Sequence, residues 1–389
     1  MAYTTSTLST SSTLVGTSGN DTGAVAAAVR AVTVNSYEGN DTLTFGGATT
    51  SATIGMGAGN DSVDTGGAAL TSGTINLGAG TDTFTNDAGD DGITVGGQDG
   101  VDTFLLTTAT TATSGANRYA GGKGADIFNL TAAHATITTS IVGGADADTL
   151  SVGAQIGDDG TSKTFFFNGQ KGADTFSTTG DTLIEDATIR GGSEGDTINV
   201  STVTTASNIV GNVQFYGDKG ADTITGSTGA ESIFGGGGAD VIDANAGVDY
   251  ISLGEGADKI TLAAGDGATG GSDLTDAQIL AQSGTMTGLT AELVVGFDTG
   301  DTLTTTSLGT AKSMVADLTA GTMANNQAYF VRGTYNSTLQ TFVLSSTGDD
   351  VLLSMGVAGA TANAQFDVSA VALDLVVFDN AASASAFFG

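Results

Sequence analysis

The hydrophobic and polar positions of this chain follow one recurrent unit, in which an acidic residue stands two places before a large apolar residue. Between residues 217 and 260 the unit returns every nine residues, and a glycine-rich stretch precedes most of the acids. The acids are Asp222, Glu231, Asp240, Asp249 and Asp258, and the apolar residues are Ile224, Ile233, Ile242, Ile251 and Ile260. Because side chains alternate between the faces of a strand, each unit predicts a tight turn followed by a short strand with an inward apolar side chain.

The same unit extends toward the N-terminus at a wider spacing of 20 to 26 residues. Its acids are Asp41, Asp61, Asp82, Asp102, Asp126, Asp148, Asp174, Asp196 and Asp222, and each has an apolar residue two places on. Each interval also holds a second strand-like segment, such as residues 136–142 or 164–167. One interval therefore predicts one full turn of a two-sheet roll.

The nine-residue block predicts an acidic turn on both edges of the roll instead of one. Asp91, which lies nine residues after Asp82 and two before Ile93, predicts the same double occupancy there. The predicted architecture is all-β, a parallel β-roll or β-solenoid with a β-rich C-terminal cap. We expect an extended or capping segment over 1–34, the roll over 35–265 and the cap over 266–389.

The segments outside the regular unit are less defined. Residues 23–34 fit a helix and a strand equally well. Residues 274–282 predict a short helix, with Asp273 as its N-cap. Residues 329–331, 340–344 and 351–354 predict strands of an antiparallel meander.

The charge of the chain limits the kinds of partner that it can bind. It has 42 acidic and 10 basic residues, a formal net charge of −32, and 36 of its acids are Asp. Such a chain is a poor ligand for nucleic acid or an anionic membrane, whereas cations are natural partners. Short carboxylates in tight turns suit a hard cation that binds oxygen, and the alternative is a solvated acidic surface. Cysteine is absent, so disulfides do not stabilise the fold.

The repeated unit resembles the nonapeptide G-G-x-G-x-D-x-U-x of hemolysin-type (RTX) repeats, which bind calcium in parallel β-rolls. The resemblance implies several Ca²⁺ ions, held by Asp carboxylates and by glycine carbonyls of neighbouring turns. Outside the nine-residue block, the resemblance then makes each acidic turn a candidate calcium site. These turns hold Asp41, Asp61, Asp82, Asp91, Asp102, Asp126, Asp148, Asp174 and Asp196. In the block, the implied ligands are Asp222, Glu231, Asp240, Asp249 and Asp258 with Gly217, Gly220, Gly235, Gly236, Gly238, Gly247, Gly254 and Gly256. Glu231, Asn245 and Leu253 depart from the family pattern, so we expect weaker binding at their turns.

A second period suggests charge pairing along one edge. Lys123, Asp146, Lys171, Glu194 and Lys219 alternate in sign at the spacing of successive turns. One interpretation is that ion pairs replace some of the calcium sites. The other is that these side chains point into water, where exposed pairs contribute little.

No catalytic constellation is expected. Residues 191–195 match the hydrolase pattern G-x-S-x-G, but they lie in phase with the repeat, and the single histidine, His134, precedes them. One histidine also excludes an H-E-x-x-H zinc site, and we expect His134 at the surface or in a strand.

The resemblance implies a secreted, calcium-dependent structural protein, similar to RTX-like bacterial surface-layer proteins, with itself and a cell-surface polysaccharide as partners. The alternative is a calcium-dependent adhesin or ice-binding module. Residues 1–16 carry no secretory signal and residues 371–389 resemble a type I secretion signal, so we expect an extracellular, cell-surface location without membrane insertion.

Overall fold

The computed structural model describes residues 4–5, 11–25, 28–65, 69–86, 89–109, 115–136, 138–158, 164–263, 285–287, 292–297, 300–306, 309–313, 327–336, 338–355 and 374–379. The described residues form strands and turns, one 3-10 helix at Ala206–Asn208, and no α-helix. Contacts divide the chain into two units. Unit 1 comprises Met1–Val203 and Asn208–Val213, and unit 2 comprises Thr204–Ser207 and Gln214–Gly389.

Unit 1 is a parallel roll with two sheets, which confirms the predicted fold class. In each rung a longer strand of the first sheet runs through an acidic turn into a shorter strand of the second sheet. The first sheet contains Ser11–Val15, Val29–Asn35, Thr49–Ala58, Thr71–Ala79, Asp91–Asp99, Ala116–Lys123, Thr138–Ala145, Phe165–Lys171 and Ala187–Ser193. The second sheet contains Thr22–Val25, Thr42–Phe45, Ser62–Asp64, Thr83–Asn86, Thr103–Leu106, Ile127–Leu130, Thr149–Val152, Thr175–Thr178 and Thr197–Asn199.

Smaller pairings also belong to unit 1. Thr4–Thr5 lies antiparallel to Ser11–Val15, and Ile184–Glu185 pairs with Ile209–Val210. Isolated bridges join His134 to Ile156 and Ile156 to Ile184, and two more join Glu38 to Ala58 and Thr49 to Leu70. His134 is therefore in a strand-like bridge and not at the surface, since 1% of it is exposed. Burial lowers the pKa of its imidazole to about 4.

The core of unit 1 is the set of apolar side chains two places after each acid. In the second sheet they stand in register, one above another: Leu43, Val63, Phe84, Phe104, Phe128, Leu150, Phe176 and Ile198, each at most 2% exposed. Phe104 and Phe128 stack with their ring centroids 4.5 Å apart. The pattern that predicted the turns therefore also identified this part of the core.

Unit 2 contains a tighter roll and a β-rich extension. One sheet of the roll has the parallel strands Gln214–Lys219, Ser232–Gly237, Tyr250–Glu255, Glu292–Val295 and Asp374–Asp379. The other has Thr223–Thr225, Val241–Asp243, Lys259–Ala263 and Thr302–Thr306. Asp222 and Asp240 are one rung apart, since Thr223 pairs with Val241, so the nine-residue unit does place turns on both edges.

The extension contains the predicted antiparallel meander. Gln327–Asn336 pairs with both Thr341–Leu344 and Asp350–Met355. Thr285–Thr287 joins Thr341–Leu344, Gly309–Ser313 joins Gln327–Asn336, and Asp350–Met355 lies antiparallel to Asp374–Asp379.

The remaining predictions concern the segments on either side of the regular roll. Residues 22–25 and 29–35 are strands of the parallel ladder, and not a helix. The predicted helix at 274–282 and the tail beyond 379 lie outside the described residues. The predicted boundaries at 34 and 265 stay predictions, although parallel pairing already includes Ser11–Val15 and still includes Thr302–Thr306.

Candidate metal-binding turns

The acids of unit 1 form one buried column along an edge of the roll. Asp41, Asp61, Asp82, Asp102, Asp126, Asp148, Asp174 and Asp196 are each at most 2% exposed. Each backbone N–H in the column donates to the Oδ1 atom of the acid one rung further on. Asp102 N lies 2.7 Å from Asp126 Oδ1, and Asp126 N lies 2.8 Å from Asp148 Oδ1. One oxygen of each carboxylate therefore ties two rungs together.

The second carboxylate oxygen is buried without a hydrogen bond in much of this column. Within the described part of unit 1 this holds for the Oδ2 atoms of Asp41, Asp61, Asp82, Asp102, Asp126, Asp148 and Asp174. A buried acceptor without a donor costs free energy, and a buried charge without a counterion costs more. Each of these turns therefore lacks a positive partner.

The backbone of the turns is what brings carbonyl oxygens to the same corner. The residues four and two places before each acid have left-handed φ angles, for example 119° at Gly122 and 110° at Gly124 in the turn of Asp126. A Cβ atom added to Gly124 would overlap the carbonyl of Gly100 in the preceding rung. Glycine is required here because it permits both the φ angle and the close approach of carbonyls from adjacent rungs.

The electrostatics of the column favour either a proton or a cation. Burial raises the pKa of Asp102 to about 6, of Asp126 to about 7 and of Asp148 to about 8. The negative charges of neighbouring acids add to this increase at Asp126 and Asp148. A bound cation would reverse the effect by stabilising the ionised carboxylates.

Unit 2 has such turns on both edges. Asp222, Asp240 and Asp258 share one edge, where Asp240 N donates to Asp258 Oδ1 at 2.9 Å. On the other edge Glu231 N donates to Asp249 Oδ1 at 2.8 Å. Glu231 also accepts a hydrogen bond from the Ser227 hydroxyl. Its pKa is raised to about 9, first by burial and then by the charge of Asp249.

The predicted glycine ligands of unit 2 occupy the defined turn positions. Gly217 and Gly235 stand five residues before their acids, where an added Cβ would lie closer than 3.0 Å to Oδ2 of Asp222 and of Asp240, respectively. The others have left-handed φ angles and lie two or four residues before an acid: Gly220, Gly236, Gly238, Gly247, Gly254 and Gly256.

The donor set suits calcium better than a transition metal. Calcium takes six to eight oxygen ligands, both carboxylate and carbonyl. Among the described residues no group of three or more His, Cys, Asp or Glu side chains converges on one point. Carbonyl oxygens therefore have to complete each shell, as the crowded glycine carbonyls of these turns allow. When bound, calcium would supply the positive charge that the buried carboxylates lack.

Asp91 stays a predicted ligand at the opposite edge of unit 1, where a Cβ added to Gly115 would overlap its Oδ1 atom. The adjacent Asp90 is 0% exposed there and accepts hydrogen bonds from Leu70 N at 2.9 Å and from the Thr65 hydroxyl at 3.0 Å. Asp91 starts the next strand and is partly exposed. Two adjacent acids therefore stand at this edge, and the nine-residue spacing indicated only Asp91.

Two further acids belong to the columns and were not among the predicted ligands. Asp21 N donates to Asp41 Oδ1 at 2.7 Å, and Asp258 N donates to Asp301 Oδ1 at 2.9 Å. The repeated unit does not identify Asp21, because Gly23 stands two places after it instead of a large apolar residue. Asp301 does have Leu303 two places on, so the unit itself could have found it.

The alternating ladder of Lys and acid does not form the predicted ion pairs. Lys123 Nζ lies 2.8 Å from Asp99 Oδ1, an exposed pair outside the ladder. Asp146 and Glu194 instead accept from backbone N–H groups of the preceding rung, at Gly124 (3.1 Å) and Gly172 (2.7 Å). Among the described residues no acid pairs with Lys171 or Lys219. The reason is that Asp146 and Glu194 have φ angles of 75°, which turn their side chains back over the earlier turn.

Fold and site together define a parallel β-roll with columns of acidic, glycine-rich turns. Residues 210–230 and 225–260 match the RTX calcium-binding nonapeptide repeat, in four copies, so this chain carries calcium-binding repeats of the RTX family. No curated protein and no solved structure matches the chain. In the part of the chain that the structure describes, no helix is both long and apolar enough to cross a membrane.

Proposed function

We propose that this protein is a secreted structural protein that multiple calcium ions fold and that assembles with copies of itself into a surface layer or sheath. The observation that supports it most is the extent of the acidic columns. They run through the rolls of both units, so the repeat makes up much of the described structure and is not a small appendage to another domain.

Self-assembly follows from two properties of such a roll. In the second sheet of unit 1, Thr22–Val25 pairs only with Thr42–Phe45 among the described strands, so a strand of a second copy can add to its other edge. A chain with a formal net charge of −32 repels other copies until a divalent cation neutralises part of that charge. Calcium would therefore act twice, within the turns and between molecules.

We assign the protein no catalytic role. A concavity of about 330 Å³ lies on unit 1, lined by Asn35, Tyr37, Gly55, Gly57, Asn76, Gly78 and Gln98. None of these side chains is an acid, a base or an activated nucleophile at neutral pH. Binding and assembly explain the repeated structure better than chemistry does.

Electron microscopy of the purified chain tests the assembly. In millimolar calcium we expect ordered sheets or tubes, and after chelation dispersed particles, because the charge repulsion returns. Magnesium at the same concentration is the control, and it should assemble the protein poorly because it keeps its own waters. A strictly monomeric protein in millimolar calcium would exclude this proposal.

One observation favours the second candidate, an adhesin or ice-binding module. The outward positions directly after the acids form a regular file in the second sheet of unit 1: Thr22, Thr42, Ser62, Thr83, Thr103, Ile127, Thr149, Thr175 and Thr197. The neighbouring file is interrupted at Asp64, Leu105 and Asn129, so a flat double array of threonines does not form. Inhibition of ice growth by the calcium-loaded monomer would favour this candidate.

A further inference from the structure

From Asp41 to Asp196, the turns of unit 1 fall into two sets according to the residue five places before the acid, which we call the corner residue. The turn of Asp21 belongs to neither set: its corner residue is Gly16, but Asp21 Oδ2 already accepts from Thr17 N at 2.6 Å and from the Thr17 hydroxyl at 2.9 Å. In the turns of Asp102, Asp126, Asp148, Asp174 and Asp196, the C-terminal block, the corner residue is Gly97, Gly121, Gly143, Gly169 or Gly191. In the turns of Asp41, Asp61 and Asp82, the N-terminal block, it is Ser36, Met56 or Leu77. These three side chains are 0% exposed, so they point into the interior of the roll and not into water.

The glycine corners leave a space that is bounded by oxygen. A Cβ atom on Gly121 would lie closer than 3.0 Å to both Asp126 Oδ2 and the carbonyl oxygen of Gly143 in the next rung. Gly97 and Gly143 have the equivalent pair of oxygens around them. A methyl group is repelled by two oxygens at that distance, whereas a cation attracts both of them.

The N-terminal block has a buried side chain where the C-terminal block has glycine. Met56 and Leu77 are apolar, and the Ser36 hydroxyl donates to Met56 Sδ at 3.6 Å. The carboxylates of Asp61 and Asp82 remain tied to their neighbours through Oδ1, at 2.7 Å and 2.7 Å from Asp41 N and Asp61 N. The rungs therefore keep their spacing although a side chain stands where the C-terminal block has none.

A second position separates the two blocks in the same way. The residue directly before the acid is Asn40, Asn60 or Thr81 in the N-terminal block, and the Asn side chains form a neutral hydrogen-bond ladder with the backbone. Asn20 Oδ1 accepts from Asn40 N (2.9 Å), Asn40 Oδ1 accepts from Asn60 N (2.9 Å), and Asn60 Oδ1 accepts from Thr81 N (3.1 Å). In the C-terminal block this position is Val101, Ala125, Ala147, Ala173 or Gly195, whose side chains cannot accept a hydrogen bond.

We propose that the corner residue determines which turns hold calcium. Ions bind in the C-terminal block, and the N-terminal block stacks without metal through its apolar corners and its amide ladder. This inference rests on the proposed calcium binding, and it removes Asp41, Asp61 and Asp82 from the ligands that the repeat pattern implies. The N-terminal block is then a metal-independent seed on which calcium adds the following rungs.

Calcium binding by two matched variants of the full chain tests the proposal. Asp126→Asn and Asp61→Asn remove the same charge from the same column, and the Asn oxygen still accepts the hydrogen bond. By equilibrium dialysis with radioactive calcium, we expect Asp126→Asn to lose at least one ion per chain and Asp61→Asn to keep the wild-type number. An equal loss from both variants, or a loss from Asp61→Asn alone, would overturn the proposal. A wild-type chain that binds no calcium would instead refute the proposed function.

Hydrogen exchange of the wild-type chain gives a readout that does not depend on variant folding. After chelation we expect the amides of Phe165–Lys171 to lose protection at least tenfold more than those of Thr49–Ala58. Equal loss in both strands would show that the N-terminal block depends on calcium as much as the C-terminal block does.

Discussion

At the scale of single residues, the central feature is a carboxylate with two unlike oxygens. Oδ1 of Asp148 accepts from Asp126 N, whereas its Oδ2 is buried without a donor in the described structure. The first oxygen fixes the rung spacing and the second leaves an uncompensated charge. The hydrogen bond to Oδ1 therefore holds the rungs together with or without metal, whereas the charge on Oδ2 is compensated only when a proton or a cation is bound.

The pH dependence of stability should change sign with metal. In the metal-free protein, burial raises the pKa of Asp61, Asp82, Asp102, Asp174 and Asp240 to about 6, of Asp126 to about 7 and of Asp148 to about 8. The folded state then binds protons more tightly than the unfolded chain. The stability contributed is present in full below about pH 4 and is lost as the pH rises from 6 to 8.

Urea unfolding at several pH values measures this. The midpoint for the metal-free protein should fall between pH 5 and pH 8, whereas the midpoint in calcium should rise, because the ion binds only the ionised carboxylates. The same trend in both states would mean that the buried carboxylates do not bind the ion.

Sequence reasoning identified these acids but not their roles. The inward residue two places on, such as Phe104 or Phe128, marks the acids because alternation along a strand is a local property. Other contacts of a turn are not local: Asp90 is held by the hydrogen bond that it accepts from Leu70 N, a rung away. The side-chain direction of Asp146 depends on its φ angle of 75°, which the charge pattern does not encode.

At the scale of the element, each turn is a backbone structure that glycine makes possible. Gly238 has a φ angle of 142°, and an added Cβ would overlap the carbonyl of Gly220. The adjacent Gly237 ends a strand, and nothing lies within 4 Å of the Cβ that would be added there. Two neighbouring glycines therefore differ in whether the fold requires them.

Alanine substitution separates the two. Gly238→Ala should destabilise the calcium-loaded protein by about 1–3 kcal/mol, through backbone strain and the clash with Gly220. Gly237→Ala should be neutral or stabilising by about 0.4–1 kcal/mol, because it restricts the unfolded chain. Chemical denaturation in calcium measures both, and similar effects of the two substitutions would contradict the described turn.

The secondary-structure elements differ in how well the sequence pattern predicts them. The nine-residue spacing placed turns on both edges of unit 2, and the pairing of Thr223 with Val241 confirms it. For residues 22–25 and 29–35 the sequence pattern favours neither a helix nor a strand, because Ala and Val repeat without a clear period. Their strands are selected by pairing with rungs already formed, such as Thr49–Ala58, which no local signal could show.

At the scale of the whole molecule, 42 acids and 10 bases are arranged so that many of the acids point into the fold. Unit 1 and unit 2 each contain a column of buried carboxylates one rung apart. Each roll therefore stores like charges that repel one another across a low-dielectric interior. The account requires calcium to be the principal source of compensation.

Far-UV circular dichroism of the full chain with and without calcium tests this claim most directly. At pH 7.5, about 1.5 units above the raised pKa values of Asp102, Asp174 and Asp240, we expect chelation to remove most of the β-sheet signal, with only the share of the N-terminal block remaining, and millimolar calcium to restore it. Magnesium should not substitute for calcium. A β-sheet spectrum that chelation leaves unchanged would contradict the account.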